Sequence, residues 1–463
     1  YTDLSRTHGL DMWRSTVAVV LLISGGPLGA FRFPSPREKR EAWDARTIVS
    51  NLEDSTPDGI DLVHVNIVWR HGDRAPTSPM AGEKAPEELW TFGGGGWGEL
   101  SPIGMAQHYN LGKKLFSRYA NESRFLSETY KAKEVYVHCT DKNRTVVSAM
   151  SNLAGMYSRS KAKVGRDYPD VPSWPTFFVP IPIHTEFADD DHITDPSTPC
   201  PRQDDIWKLV KKTEDYKKAN GPEAEKVLQY LRDAIGVDDS AITFENLYKI
   251  WDNMLVENIW FPDNVSDWYP YYTPEVNAQV QHLNDMSIDM KNGLIVDKDI
   301  DGYDLTVEIP TIRGGPLVND IMSKARGVLQ CRLRDSYNQQ NGCQDKDHFF
   351  RNLKYHVISG HDYTIGAYLT VLGAKTRILP DGGYPPYSAA ILTEFFIDSR
   401  NGKTDQVFRV IYHDSPDTDF RVITPFVEGC KDDFCPVEVL QNFADKFAPP
   451  GGIEKVISMI CTL

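Results

Sequence analysis

The chain has 463 residues, 41 % hydrophobic and 25 % charged, which is ample for a large core built as one extended unit or as two subdomains. Its formal net charge is −15, and its lysines and arginines form no basic patch, so nucleic acid is excluded as a partner. An anionic small molecule would gain nothing from net charge and would have to be drawn in by a local cluster of arginines.

Residues 12–30 follow a secretory plan, with Arg14 as the positive end, Val17 to Ile23 as the apolar run and Leu28-Gly29-Ala30 as a small-residue exit. The run is too short to span a bilayer. Residues 1–11 then lie upstream of the signal, and residues 31–57, charged and proline-containing, read as a loose arm. No later stretch has the apolar length of a transmembrane helix, so a soluble, exported product is expected.

An α/β segment is expected over 58–182. Leu62 to Trp69 is apolar and β-branched and reads as a buried strand. It runs into Arg70-His71-Gly72-Asp73-Arg74-Ala75-Pro76, where Gly72 and Pro76 break the pattern. One imidazole thus sits between two permanent cations where a strand ends, the usual place for ligands in α/β sheets. The guanidiniums can fork onto phosphate or carboxylate oxygens, and the imidazole could attack what they hold. Ser101-Pro102 is a good start for a helix over Ile103 to Tyr119. A strand at Val135 to Cys139 leads through Thr140-Asp141-Lys142-Asn143-Arg144-Thr145 into a helical stretch, Val146 to Tyr157.

Residues 183–340 turn charged and helical and read as an inserted cap. The segment Asp189-Asp190-Asp191-His192 within it is a solvated acidic loop, and no cluster has metal-ligand spacing. The α/β pattern returns over 341–463. Tyr355 to Ser359 is a strand, Gly360-His361-Asp362 follows, and Tyr363 to Leu369 can start a helix. Further strands are expected at Ala389 to Ile397 and Gln406 to Tyr412.

Arg-His-Gly-x-Arg-x-Pro, the Asp-x-x-Arg-Thr element around Arg144 and the strand-end pair His361-Asp362 occur here in one order. On these motifs the chain resembles the histidine acid phosphatases (histidine phosphatase superfamily, branch 2), nearest to the prostatic and lysosomal enzymes of animals. The likeness runs from about Leu62 to the C-terminus. It implies a central, mostly parallel sheet flanked by helices, as in phosphoglycerate mutase, with a smaller helical cap inserted. It also implies a metal-independent acid phosphatase needing no cofactor and acting on small phosphomonoesters, with a phytase, a lysophosphatidate phosphatase or a catalytically silent secreted binding protein as alternatives. His71 would be the nucleophile, forming a phosphohistidine, and Asp362 the proton donor. Arg70, Arg74, Arg144 and His361 would bind phosphate, and Trp251 would line the pocket. Clustered guanidiniums disfavour another positive charge, so His71 should stay neutral at acid pH.

Seven cysteines suit an oxidising compartment, though spacing leaves many pairings open. The resemblance implies bridges Cys200–Cys461 and Cys430–Cys435, while Val256 and Ala390 replace both halves of a third. Cys331 and Cys343 remain in one polar loop and are expected to pair, with Cys139 free and buried. Asn121 and Asn264 are glycosylation acceptors, whereas a glycan on Asn143 would crowd the site. His138 departs from the family pattern at the pocket rim; Phe178 stands where relatives have a dimer-contact Trp, but His184 keeps its partner there, so the resemblance implies a homodimer. Apart from the catalytic arginines, only Lys142 adds positive charge near the pocket.

Overall fold

The computed structural model describes residues 56–82, 85–157, 161–176, 178–261, 267–336, 348–379, 383–415 and 418–448. The signal segment, most of the arm, Asn264, Cys343 and Cys461 lie outside the described residues.

One mixed sheet organises the molecule, in the order β10-β8-β7-β1-β6-β2-β3, with β9 paired to β8. Its strands are β1 (Ile60–Arg70), β2 (Val135–Cys139), β3 (His184–Thr185), β6 (Tyr355–Gly360), β7 (Ala390–Asp398), β8 (Asp405–His413), β9 (Arg421–Val422) and β10 (Cys435–Pro436). The parallel part is β1-β6-β2-β3, and β7, β8, β9 and β10 extend it beyond β1 with antiparallel pairings. A small ribbon, β4 (Asp299–Ile300) with β5 (Tyr303–Asp304), stands apart.

Helices cover both faces of the sheet, which is why β1 reads as a nearly unbroken apolar run. Ile67 and Trp69 join a core with Leu111, Leu115 and Leu153 from the helices Pro102–Phe116 and Asn143–Tyr157. Val68, on the alternate face, joins Leu317, Ile321, Ile365 and Leu440 from the helices Gly315–Ser336, Asp362–Val371 and Val437–Lys446. Proline in the first turn opens the helices at Pro102, Pro201, Pro222 and Pro274, where its missing N–H costs nothing. The Ser101 hydroxyl accepts from Gly104 N and caps the first of them.

The cap has its own core, with Ile206, Val210, Leu228, Leu231, Met254 and Leu283 at its centre. Its helices are Pro201–Val210, Glu214–Ala219, Pro222–Ile235, Tyr248–Trp260, Pro274–Lys291 and Leu305–Arg313. The helix Gly315–Ser336 packs on the sheet and not in the cap, so the chain returns to the sheet layer well before the boundary at 341 that composition suggested. The polar face that made this helix look like cap is simply its solvent side. Cys430 is bonded to Cys435, and Cys139 is free and buried. Cys200 and Cys331 are each disulfide-bonded. No helix among the described residues is long and apolar enough to cross a membrane.

Candidate active site

The parallel register places Arg70, the last residue of β1, against Gly360, the last of β6. His71 and His361-Asp362 therefore leave the sheet side by side. Neighbouring β2 pairs its last residue, Cys139, with Ser359, so the turn after it brings Arg144 to the same edge. His71, Arg74, Arg144, His361, Asp362 and Trp251 line one cavity of about 450 Å³, within the usual range for small-molecule sites. Arg70 lies beside it, paired with Asp362. Segments far apart in sequence thus meet because adjacent parallel strands all end on one edge.

Gly72 is required behind His71, because a Cβ there would meet the backbone of Gly104 at 2.5 Å. Its N–H donates to Ser148 Oγ at 3.2 Å. The motif's acidic residue, Asp73, has a structural job. It accepts from the Ser101 hydroxyl and, at 3.1 Å, from Trp260 Nε1, tying the loop to one helix start and to the cap.

His71 lies 2.8 Å from Gly72 O through Nδ1. A carbonyl only accepts, so Nδ1 carries the proton and Nε2 keeps its lone pair. Burial first, then Arg144, Arg74, Arg70 and His361, hold this imidazole well below its ordinary pKa. His361 is lowered by burial and the same cations. Its Nε2 lies 2.9 Å from the Thr140 hydroxyl, which donates onward to Thr145, and its Nδ1 has no acceptor or donor opposite it. The His361 ring stacks on Tyr363 with centroids 4.6 Å apart.

Arg70 and Arg74 are held by groups that leave part of each guanidinium open. Arg70 Nη1 donates to Pro385 O at 2.7 Å, and the group lies 4.2 Å from the Tyr387 ring centroid. Its Nη2 is 2.9 Å from Asp362 Oδ2, but off the N–H direction, so both Nε and Nη2 lack a hydrogen-bond acceptor. Arg74 forks onto Asp252 at 2.9 and 3.0 Å, also donates to Ala75 O, and leaves Nε open. Arg144 Nε is open as well. Buried donors are almost always paired, so this many open ones converging from two strand ends describe a site for an anion.

Sequence reasoning did not assign Asp252, although it adjoins Trp251. Nothing in a helical stretch marks a carboxylate as the partner of an arginine far away in sequence. We expect Asp252→Asn to raise KM for an aryl phosphate about tenfold, because Arg74 loses its fork and its fixed orientation. The inhibition constant of inorganic phosphate should rise in parallel, and an unchanged KM would remove Asp252 from the site. Trp251 stacks on Tyr384 at 4.8 Å, forming an aromatic wall. The charge reading near Lys142 needs correction, because the cap adds Lys291 and Arg313 to the cavity lining. They were invisible in sequence because each is a lone cation ending a cap helix. In the acidic loop, Asp191 holds a turn through Thr194, and no group of three or more metal-ligating side chains occurs among the described residues.

The parallel strand edge brings two histidines, two arginines and a carboxylate to one cavity, with Arg70 beside it, an arrangement suited to holding a phosphoryl group. Residues 61–413 match the family model for the histidine phosphatase superfamily, branch 2, and the chain belongs to that family. It is 30 % identical over 399 residues to a Caenorhabditis elegans protein named as a candidate acid phosphatase, covering 85 % of this chain and 88 % of that one. Human prostatic acid phosphatase is 26 % identical over 84 % of this chain and 85 % of its own length. The apo phytase of Hafnia alvei shares the fold, with a TM-score of 0.53 at 15 % identity over 86 % of this chain and 99 % of that one.

Proposed function

We propose that the protein is an exported acid phosphatase that hydrolyses small phosphomonoesters through a phosphohistidine on His71. The observation that carries this reading is His71 itself. Its proton is fixed on Nδ1 by Gly72 O, and its pKa is held down by burial and three guanidiniums. It is therefore a neutral nucleophile in a cationic pocket.

In the first step, the Nε2 lone pair attacks phosphorus, the P–O ester bond breaks, and Asp362 gives its proton to the leaving oxygen. Arg70, Arg74 and Arg144 take the phosphoryl oxygens, and their charge does the work that metal ions do in other phosphatases. In the second step, water attacks the phosphohistidine while Asp362 takes its proton. The N–P bond breaks, releasing orthophosphate and restoring neutral His71. Asp362 is poised beside Arg70 as an ion pair. A phosphate oxygen that takes over Arg70 Nη2 breaks that pair and leaves the Asp362 carboxyl group available to the leaving oxygen. His361 becomes a donor at Nδ1 only once protonated, which a bound phosphate dianion favours and the guanidiniums oppose.

Rapid acid-free quenching during turnover of a ³²P-labelled aryl phosphate should trap label on His71, stable to base and labile to acid. Label that never accumulates, under conditions where hydrolysis is fast and water attack is slowed by low temperature, would count against the covalent route. Export is supported by the signal pattern and by disulfide-bonded cysteines. A homodimer is supported by the exposed Phe178 and by the exposed edge strand β3 carrying His184. Asn121, exposed beside Glu122, is accessible for glycosylation.

A further inference from the structure

The cavity over His71 continues past the residues that handle the reacting phosphate. Lys291 ends the helix Pro274–Lys291, Arg313 ends the helix Leu305–Arg313, and both line the same cavity as His71. Arg313 is buried. Its Nη1 donates to Pro196 O at 3.1 Å and Gln203 Oε1 at 3.4 Å, and its Nε to Asn292 Oδ1 at 3.3 Å. Lys291 Nζ lies over the rings of Trp207 and Tyr248. Among the described residues neither cation has a carboxylate in an ion pair.

The charged groups that act on them are already engaged. Glu245 takes the Tyr216 hydroxyl at 2.5 Å and Lys211 at 2.9 Å. Asp195 accepts from Ser197 N and Oγ and from the Tyr363 hydroxyl. Burial and the neighbouring Arg313 push Lys291 down to about 8, and burial pushes Arg313 down to about 10. A half-buried lysine beside a buried arginine puts two like charges at one cavity wall, where they destabilise each other unless an anion joins them. Placement at helix C-termini accounts for one favourable term. It does not account for both side chains lining the substrate cavity.

We propose that the cap end of this cavity is a second anion subsite, formed by Lys291 and Arg313. It would receive a second phosphate or carboxylate of a two-headed phosphomonoester while the reacting phosphate sits at His71. This rests on the catalytic reading above and names its substrate class. Asp252 and Asp362, which line the same cavity, are paired with Arg74 and Arg70 at the His71 end.

The test compares esters that differ by one anion, at pH 5 and fixed ionic strength. Fructose 1,6-bisphosphate against fructose 6-phosphate reads a second phosphate, and 6-phosphogluconate against glucose 6-phosphate reads a carboxylate. The wild type should prefer the two-headed ester in kcat/KM by about tenfold or more, beyond the statistical factor for two cleavable phosphates, as one charge-assisted contact implies. Preference in the first pair alone assigns the subsite to phosphate, and preference in both assigns it to anions generally. Lys291→Gln should erase most of the preference and Lys291→Arg should restore it, while Lys298→Gln, an exposed cap lysine, should leave it intact. The preference should fade as pH passes about 8, where Lys291 loses its proton.

Equal use of both members of each pair by the wild type overturns the subsite, as does a preference that survives Lys291→Gln. 4-Nitrophenyl phosphate separates the two levels of the argument. If the wild type cleaves it without discriminating the pairs, only the subsite falls; if it cleaves none of these esters, the catalytic reading falls first.

Discussion

His71→Ala is expected to lower kcat/KM for 4-nitrophenyl phosphate by roughly four to six orders of magnitude, the usual cost of deleting a covalent nucleophile. The size follows from the geometry. The imidazole fixed by Gly72 O offers a neutral nitrogen beside three guanidiniums, and alanine has none to put in its place. The open donors of Arg70, Arg74 and Arg144 survive the change, so inorganic phosphate should still bind within several-fold of the wild type. That pair of results separates lost chemistry from lost folding. A variant that keeps even a hundredth of the activity would place the nucleophile elsewhere. The sign of the pH effect is also fixed. Protonation silences His71, and its pKa lies well below 6.5, so the acid-side loss of kcat/KM should begin far below pH 6.5.

The second large effect is on stability. Burial pushes His64 down to about 3, His108 down to about 4 and His413 down to about 3. In the unfolded chain each titrates near 6.5. Below that pH the unfolded state takes up protons that the native state refuses, so stability is complete above pH 6.5 and drains away as pH falls towards 3 to 4. Each histidine contributes about 1.4 kcal/mol per pH unit. All three shifts act in the same direction. Glu245, held down to about 2, adds to the loss at lower pH, whereas Asp73 and Asp289, raised by burial, oppose it. We expect the Tm to fall by more than about 10 °C between pH 7 and pH 4.5. His64 is fully buried and its ring contacts Phe395 at 5.9 Å, so His64→Leu should flatten the slope. A Tm independent of pH over this range would show that these histidines titrate normally.

The sheet was legible because its strands are buried on both faces and carry unbroken apolar runs. Leu62 to Trp69 was expected and β1 spans Ile60–Arg70; Val135 to Cys139 matched to the residue. The site was legible where chemistry sits next to a strand end, as at Arg70-His71 and His361-Asp362. Partners supplied across space were not. Asp252 on Arg74, Thr140 behind His361, Tyr384 on Trp251 and the pair Lys291–Arg313 lie on elements whose local patterns report only helix or loop. The cap boundary failed for the same reason, since an amphipathic helix looks alike whether it covers a sheet or another helix.

The central strand has a history implied by its register. Both neighbours of β1, β6 and β7, come from the far side of the cap, with Trp69 and its partner Ser359 separated by 290 residues. During synthesis β1 emerges with neither edge paired and with side chains suited to burial on two faces. Closing so long a loop is slow, and an unpaired apolar strand invites association with other chains. His71 and Asp362 therefore come together only after the chain has been made past β6. Until then the nascent chain carries a strand that must be sheltered by chaperones or by the early helices Pro102–Phe116 and Asn143–Tyr157, and the yield of active enzyme will depend on how well that shelter holds.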